Sequence, residues 1–104
     1  ALNMLRYADQ GDAGVLTYTG FATRKLGDVR GGMRYYAKAL SIDPTNTITR
    51  SYLGEAFLMQ DQREKAAAEL DMIASIEGQE SEPYIALAKA IAAYDDGTWT
   101  GQSY

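Results

Sequence analysis

Residues 13–46, AGVLTYTGFATRKLGDVRGGMRYYAKALSIDPTN, and residues 47–80, TITRSYLGEAFLMQDQREKAAAELDMIASIEGQE, are two copies of one pattern, offset by 34 residues. The coinciding positions are small or aromatic: Tyr18 aligns with Tyr52, Gly20 with Gly54, Ala22 with Ala56, and Gly32 with Ala66. A third, incomplete copy begins at Ser81. A repeat of this length is typical of proteins in which one supersecondary unit stacks on the next.

The first copy contains two helical stretches. The first is predicted from Val15 to Leu26 and ends at Gly27, because glycine readily adopts the backbone conformation that terminates a helix. Asp28 is well placed to cap a second helix, which runs from Val29 to about Ser41 and carries an amphipathic stripe. Asp43-Pro44 ends that helix, since proline cannot continue the hydrogen-bond ladder.

The second copy repeats this plan. Helices are predicted at residues 47–60 and 62–76, with Asp61 as the cap between them. A last helix opens at Ser81-Glu82-Pro83, where proline is tolerated in the first turn, and runs to about Tyr94. Residues 1–8, ALNMLRYA, are interpreted as the end of a helix whose beginning is missing.

The repeat resembles the tetratricopeptide repeat, a 34-residue helix pair with the pattern W-x2-L-G-x2-Y, then A-x3-F, then P. The matching residues of the first copy are Leu16, Gly20, Gly32, Tyr36, Ala39 and Pro44. Those of the second copy are Leu53, Gly54, Phe57, Ala66, Leu70 and Ile73, with Gly78 in place of the proline. The resemblance covers about residues 13–94, and Thr19, Thr23 and Arg50 depart from its apolar pattern.

The resemblance implies an all-α fold: a short, right-handed superhelical stack of antiparallel helix pairs, with two full repeats and a helical fragment at each end. The predicted organisation, within a single domain, is a truncated preceding helix at 1–12, repeats at 13–46 and 47–80, a capping helix at 81–94 and a tail at 95–104. Small residues in register would let neighbouring helices approach closely.

Composition narrows the classes of function. The 104 residues include no cysteine and no histidine, which excludes thiol chemistry, disulfides, the usual zinc ligand sets and imidazole catalysis. We therefore predict no enzyme, no metal and no cofactor. The formal charge of −4 argues against a nucleic-acid partner, because phosphate contacts need an excess of lysine and arginine.

The cellular compartment stays open. The balance of 46% hydrophobic and 23% charged residues is that of a soluble globular protein, and no run of about 18 apolar residues predicts membrane insertion. Residues 1–12 show no signal peptide, although the chain begins at Ala1 and not at methionine. The cytoplasm and a bacterial periplasm are both consistent with these features.

A nucleotide site is the first alternative to set aside. Gly27 and Gly32 have the glycine spacing of a phosphate-binding loop, but such a loop needs lysine and then serine or threonine after its last glycine. This chain has Met33 and Arg34 there, inside a predicted helix. Helix packing explains Gly32, whereas no sequence pattern explains Gly31.

The resemblance implies that the first helices of each pair line a concave face that binds partners. Tyr18 and Tyr52 recur there at the repeat period and are predicted to line a groove for a peptide or protein segment. The alternative is that both rings only pack between adjacent repeats. The full set of predicted groove residues is Tyr18, Phe21, Arg24, Lys25, Tyr52, Glu55, Met59 and Lys89.

Some members of this family bind the C-terminal carboxylate of chaperones through a clamp of lysine, asparagine and arginine. The corresponding residues here are Thr17, Phe21, Tyr52, Glu82 and Ala86. None of them matches, and the charge of Glu82 would repel a carboxylate. We therefore predict no binding of that kind.

Self-association is the second functional hypothesis, either of this stack with itself or as part of a larger scaffold. Residues 84–94, YIALAKAIAAY, carry one charge, Lys89, and terminal helices of repeat stacks usually need a polar outer face. Ile85, Ala92 and Trp99 are the candidate contacts of a homodimer. The alternative cover for this helix is the tail itself, folding back through Trp99.

Overall fold

The computed structural model describes residues 12–101, which contain helices and no strand. The five helices are α1 (Ala13–Lys25), α2 (Val29–Ile42), α3 (Thr47–Met59), α4 (Arg63–Ile76) and α5 (Glu82–Asp96). The prediction of an all-α fold is confirmed, and α5 continues two residues into the predicted tail. Apart from Asp12, the predicted helix end at residues 1–12 lies outside the described residues.

Side-chain caps start three of the helices. Asp12 accepts hydrogen bonds from the backbone N–H groups of Gly14 (2.8 Å) and Val15 (3.3 Å) and so caps α1. Asp28 accepts from the N–H of Gly31 at 2.9 Å, as predicted for the start of α2, and Asn46 caps α3 in the same way. These caps satisfy backbone donors that the first helical turn leaves without partners.

The start of α4 differs from the prediction. Gln62, and not Asp61, is the residue that precedes the helix, and its side chain makes no capping bond. Asp61 has a left-handed backbone (φ 57°), and its carboxylate accepts a hydrogen bond of 2.8 Å from the hydroxyl of Tyr94. The carboxylate is therefore used to tie α5 to the turn between α3 and α4.

Two glycines let α1 and α2 pack closely. A β-carbon at Gly20 would lie 2.8 Å from the carbonyl oxygen of Gly32, and one at Gly32 would lie 2.7 Å from the carbonyl oxygen of Gly20. Distances this short are forbidden contacts, and the obstacle on each side is backbone. The proposed packing role of Gly32 is therefore confirmed by the geometry.

Gly31 has a different reason, which sequence patterns do not reveal. A β-carbon at Gly31 would lie 2.2 Å from a carboxylate oxygen of Asp28. The same carboxylate accepts the N–H of Gly31. Glycine is therefore needed for the capping side chain to lie over the first turn of α2.

The pairs stack by contacts between neighbouring elements. Within the pairs, α1 packs on α2 and α3 packs on α4; between them, α3 contacts α2 on one side and α5 on the other. The C-terminal core is formed by Leu58, Ala66, Ile73, Leu87, Ala90 and Ile91, and Trp99 packs against it.

Among the described helices, none has the length and apolarity needed to cross a membrane.

Hydroxyl groups repeat at the same period as the helices. The Oγ1 atoms of Thr17 and Thr49 lie 2.6 Å apart between α1 and α3. Shifted by one repeat, these positions become Ser51 and Pro83, and the Ser51 hydroxyl donates to the carbonyl oxygen of Pro83 at 2.9 Å. Each first helix is thus tied to the next by an equivalent buried bond.

Arg50, which departs from the family pattern, forms an ion pair of 2.9 Å with Glu69 and links α3 to α4.

Candidate functional site

A groove with a volume of about 1050 Å³ lies along α1, α3 and α5. Its lining residues are Tyr18 from α1; Thr47, Ile48, Tyr52 and Glu55 from α3; Glu82, Pro83, Ile85, Ala86, Lys89 and Ala90 from α5; and Glu77 and Trp99 from the segments after α4 and α5. The first helices of the successive units therefore form one continuous surface. We call this surface the groove.

The two period-related tyrosines differ in their surroundings. Tyr18 is 65% exposed, whereas Tyr52 is half-buried, with its ring centroid 4.9 Å from that of Phe21 and 6.1 Å from that of Tyr36. Burial, followed by the nearby Tyr18 hydroxyl, raises the pKa of Tyr52 above its ordinary value. Tyr18 therefore offers a free ring to a partner, while Tyr52 both packs and lines the groove.

Arg24 and Met59 were predicted to line the groove, but the structure places them outside its lining. Arg24 is only 2% exposed; its Nε donates to the Tyr36 hydroxyl at 3.3 Å and its Nη1 to the Met59 sulfur at 3.4 Å. Arg24 follows Gly20 by four residues and so shares the face of α1 that packs on α2. Sequence reasoning treated this charge as exposed because arginine is rarely buried without partners.

Phe21 and Lys25 also lie outside the groove lining. Phe21 is half-buried against Tyr52, and the exposed Lys25 holds its ammonium nitrogen 5.5 Å from the centroid of the Phe21 ring. The guanidinium carbon of Arg24 lies 5.4 Å from the same centroid. These cations are positioned for cation–π attraction to Phe21. The Phe21 ring therefore contacts both cations and also the ring of Tyr52.

The remaining predicted residues lie on α3, on α5 and in the segment after α5. Glu55, Lys89, Ile85 and Trp99 all line the groove, and Glu55 is 2% exposed. Trp99 folds back on its own chain. Its backbone N–H donates to the carbonyl oxygen of Ala93 at 3.1 Å, and its ring centroid lies 6.2 Å from that of Tyr94. Ala92 is exposed and lies outside the groove lining.

Several residues that line the groove are not among the predicted binding residues, for example Ile48 and Glu77. The repeat period itself carried a usable signal. Advancing Tyr18 by one and two repeats gives Tyr52 and Ala86, and advancing Ile48 by one repeat gives Glu82. The repeat period does not predict Glu77, because Glu77 follows α4, the second helix of its pair, whereas the other repeated groove residues lie on first helices.

Within residues 12–101, no group of three or more histidine, cysteine, aspartate or glutamate side chains is arranged to hold a metal ion. The geometry instead provides an extended surface with aromatic, aliphatic and charged side chains, which suits recognition of another chain.

A stack of helix pairs in which each pair packs on the next, with a groove along the first helices, defines a helical-repeat protein. More specifically, this chain belongs to the tetratricopeptide repeat family: the family model for that repeat matches residues 24–91, about two thirds of the chain. Repeats of this family are generally protein-interaction modules and are typically not enzymes. The comparison with curated proteins finds no match to this chain.

Proposed function

We propose that this chain is a non-catalytic interaction module that binds a peptide or protein segment in the groove. The observation that carries the proposal is the exposure of Tyr18, at 65%, on the same surface as its repeat equivalent Tyr52. Tyrosine is enriched at protein interfaces and among the residues that dominate their binding energy. The exposed Ile48 (47%) and Ile85 (41%) add aliphatic area to the same groove.

The two tyrosines give the first testable prediction. We expect Tyr18→Ala to weaken binding of a groove peptide by about 2 kcal/mol while changing the free energy of unfolding by less than about 0.5 kcal/mol. Tyr52→Ala should weaken both, because its ring also packs on Phe21 and Tyr36. Peptides selected by display on the wild-type protein serve as probes, and the fluorescence of Trp99, the one tryptophan of the chain, reports their binding.

Tyr35→Ala is the matched control for that experiment. Tyr35 is also exposed (37%), but it lies on α2 and outside the groove lining. The Tyr35→Ala variant should bind the selected peptides as tightly as the wild type does. Equal losses for Tyr18→Ala and Tyr35→Ala, or unchanged affinity in Tyr18→Ala, would show that the groove is not the binding surface.

A homodimer through α5 is the second candidate function. Its specific support is Ala92, a small apolar residue of α5 that is exposed and lies outside the groove lining. Among the described helices, α5 packs on α3 and α4. A second copy that meets α5 about a two-fold axis would bury Ala92.

Because Ala92 lies outside the groove lining, a substitution there tests the dimer separately from peptide binding. We expect Ala92→Arg to convert a dimer to a folded monomer, as measured by size-exclusion chromatography with light scattering over a range of concentrations. Peptide binding should persist in Ala92→Arg, since Ala92 does not line the groove. Ile85→Glu is expected to impair peptide binding instead. A wild-type protein that is monomeric at every concentration contradicts this second candidate.

A further inference from the structure

The charges along the groove are unevenly distributed. Its lining contains three carboxylates, Glu55, Glu77 and Glu82, and one cation, Lys89. Glu77 and Glu82 are exposed, whereas Glu55 is almost fully buried. Among the exposed charged side chains of the lining, carboxylates therefore outnumber cations by two to one.

The two exposed carboxylates lie at one end of the groove. Glu77 is the residue that follows α4, and Glu82 lies in the first turn of α5. Glu77 accepts a hydrogen bond from the hydroxyl of Thr47, the first residue of α3. Both carboxylates therefore lie where α3 and α5 begin. A helix N-terminus attracts anions, and here the chain's own carboxylates already occupy that position.

Lys89 lies further along α5, away from the end where Glu77 and Glu82 lie. It follows Glu82 by seven residues, so the two side chains share a face of the helix about two turns, or roughly 10 Å, apart. Ile85 and Ala86 lie between them and also line the groove. Beyond these, the exposed Ile48 and Tyr18 extend the apolar surface onto α3 and α1. The groove is thus acidic at one end and apolar with aromatic character along its length.

We propose that the groove takes a basic, apolar segment of a partner protein: a stretch with aliphatic or aromatic side chains and with lysine or arginine at the end that meets Glu77 and Glu82. This proposal rests on the proposed function. A carboxylate has more acceptor positions than the single bond from Thr47 uses, so Glu77 can still receive a cationic donor. An acidic segment, or a phosphate backbone, would meet charge of the same sign, which disfavours association.

The test is a selection of displayed random peptides on three proteins. These are the wild type, the double variant Glu77→Lys/Glu82→Lys, and the control Asp71→Lys. Asp71 is an exposed carboxylate on α4 that does not line the groove. We expect peptides from the wild type and from Asp71→Lys to be rich in lysine or arginine beside apolar residues. Peptides from the double variant should lose that basic preference.

Synthetic peptides from the wild-type selection then supply the affinities. We expect the double variant to bind them roughly tenfold more weakly, with Asp71→Lys close to the wild type, and wild-type binding to weaken as salt concentration rises. Replacing the lysines of a selected peptide with glutamate should abolish its binding. These measurements use Trp99 fluorescence, and circular dichroism checks that each variant is folded.

The outcomes separate the two proposals. If the wild type selects acidic or uncharged peptides, or if the double variant keeps the basic preference and affinity, the inferred chemistry of the partner is wrong while the groove still binds peptides. If Tyr18→Ala binds every selected peptide as the wild type does, the proposed groove function itself fails, and the inferred chemistry fails with it. Selection of no peptide by the folded wild type overturns both.

Discussion

Replacing Tyr36 with alanine is expected to lower the free energy of unfolding by about 3–5 kcal/mol, the usual effect of removing a buried aromatic ring. The Tyr36 side chain is fully buried on α2 and packs with Leu53 and Ala56 of α3. It therefore joins the first helix pair to the second. Because single domains are stable by only about 5–15 kcal/mol, this variant should be close to unfolding. Urea denaturation followed by circular dichroism measures the change.

Tyr36→Phe is the control that separates the ring from its hydroxyl. The hydroxyl accepts the hydrogen bond from Arg24 Nε, and its loss should lower the free energy of unfolding by about 1–3 kcal/mol, less than the loss of the ring. Burial also raises the pKa of Tyr36 above its ordinary value of 10.0. The stability due to the neutral hydroxyl is then fully present below pH 10.0 and is lost as pH rises through the folded-state pKa. Tyr36→Phe should remove this part of the alkaline sensitivity. Equal losses in the Ala and Phe variants would contradict a packing role for the ring.

Replacing Gly20 with alanine is expected to lower the free energy of unfolding by about 1–3 kcal/mol, as overpacking commonly does. On helix propensity alone, the substitution should stabilise α1 by about 1 kcal/mol. The sign is reversed because the added carbon would lie 2.8 Å from the Gly32 carbonyl oxygen and 2.8 Å from the Tyr36 ring. Backbone cannot rotate aside, so α1 and α2 must separate. Thermal and urea unfolding measure the loss.

Gly54→Ala is the matched comparison, because Gly54 occupies the same repeat position. A carbon added there would lie 2.5 Å from Cδ2 of Leu87, which is the end of a flexible side chain. The loss should be smaller than in Gly20→Ala, and it should shrink further in a Leu87→Ala background, as a double-mutant cycle would show. If Gly20→Ala were as stable as the wild type, the close approach of α1 and α2 would not limit packing.

Some of the site was predictable because the repeat period transfers information between copies. Tyr18 and Tyr52 were found as a pair, and both line the groove with Glu55 and Lys89. Arg24 was misplaced, because the sequence shows its charge but not the space left for it. The carbonyl and α-carbon of Gly32, with no side chain, leave room for Arg24 to turn inward to Tyr36 and Met59.

The sequence by itself determined the all-α architecture, the helix pairs and the family, since these depend on local signals: the 34-residue period, the caps and the small residues in register. The tertiary structure alone decided which side of each helix is open. It placed Glu77 and Trp99 in the groove from outside the first helices, buried Arg24, and turned Asp61 from a cap into an acceptor for Tyr94. The physical reason is that a side chain's exposure depends on which neighbour packs against it, and that neighbour lies in another helix, often more than 30 residues away along the chain.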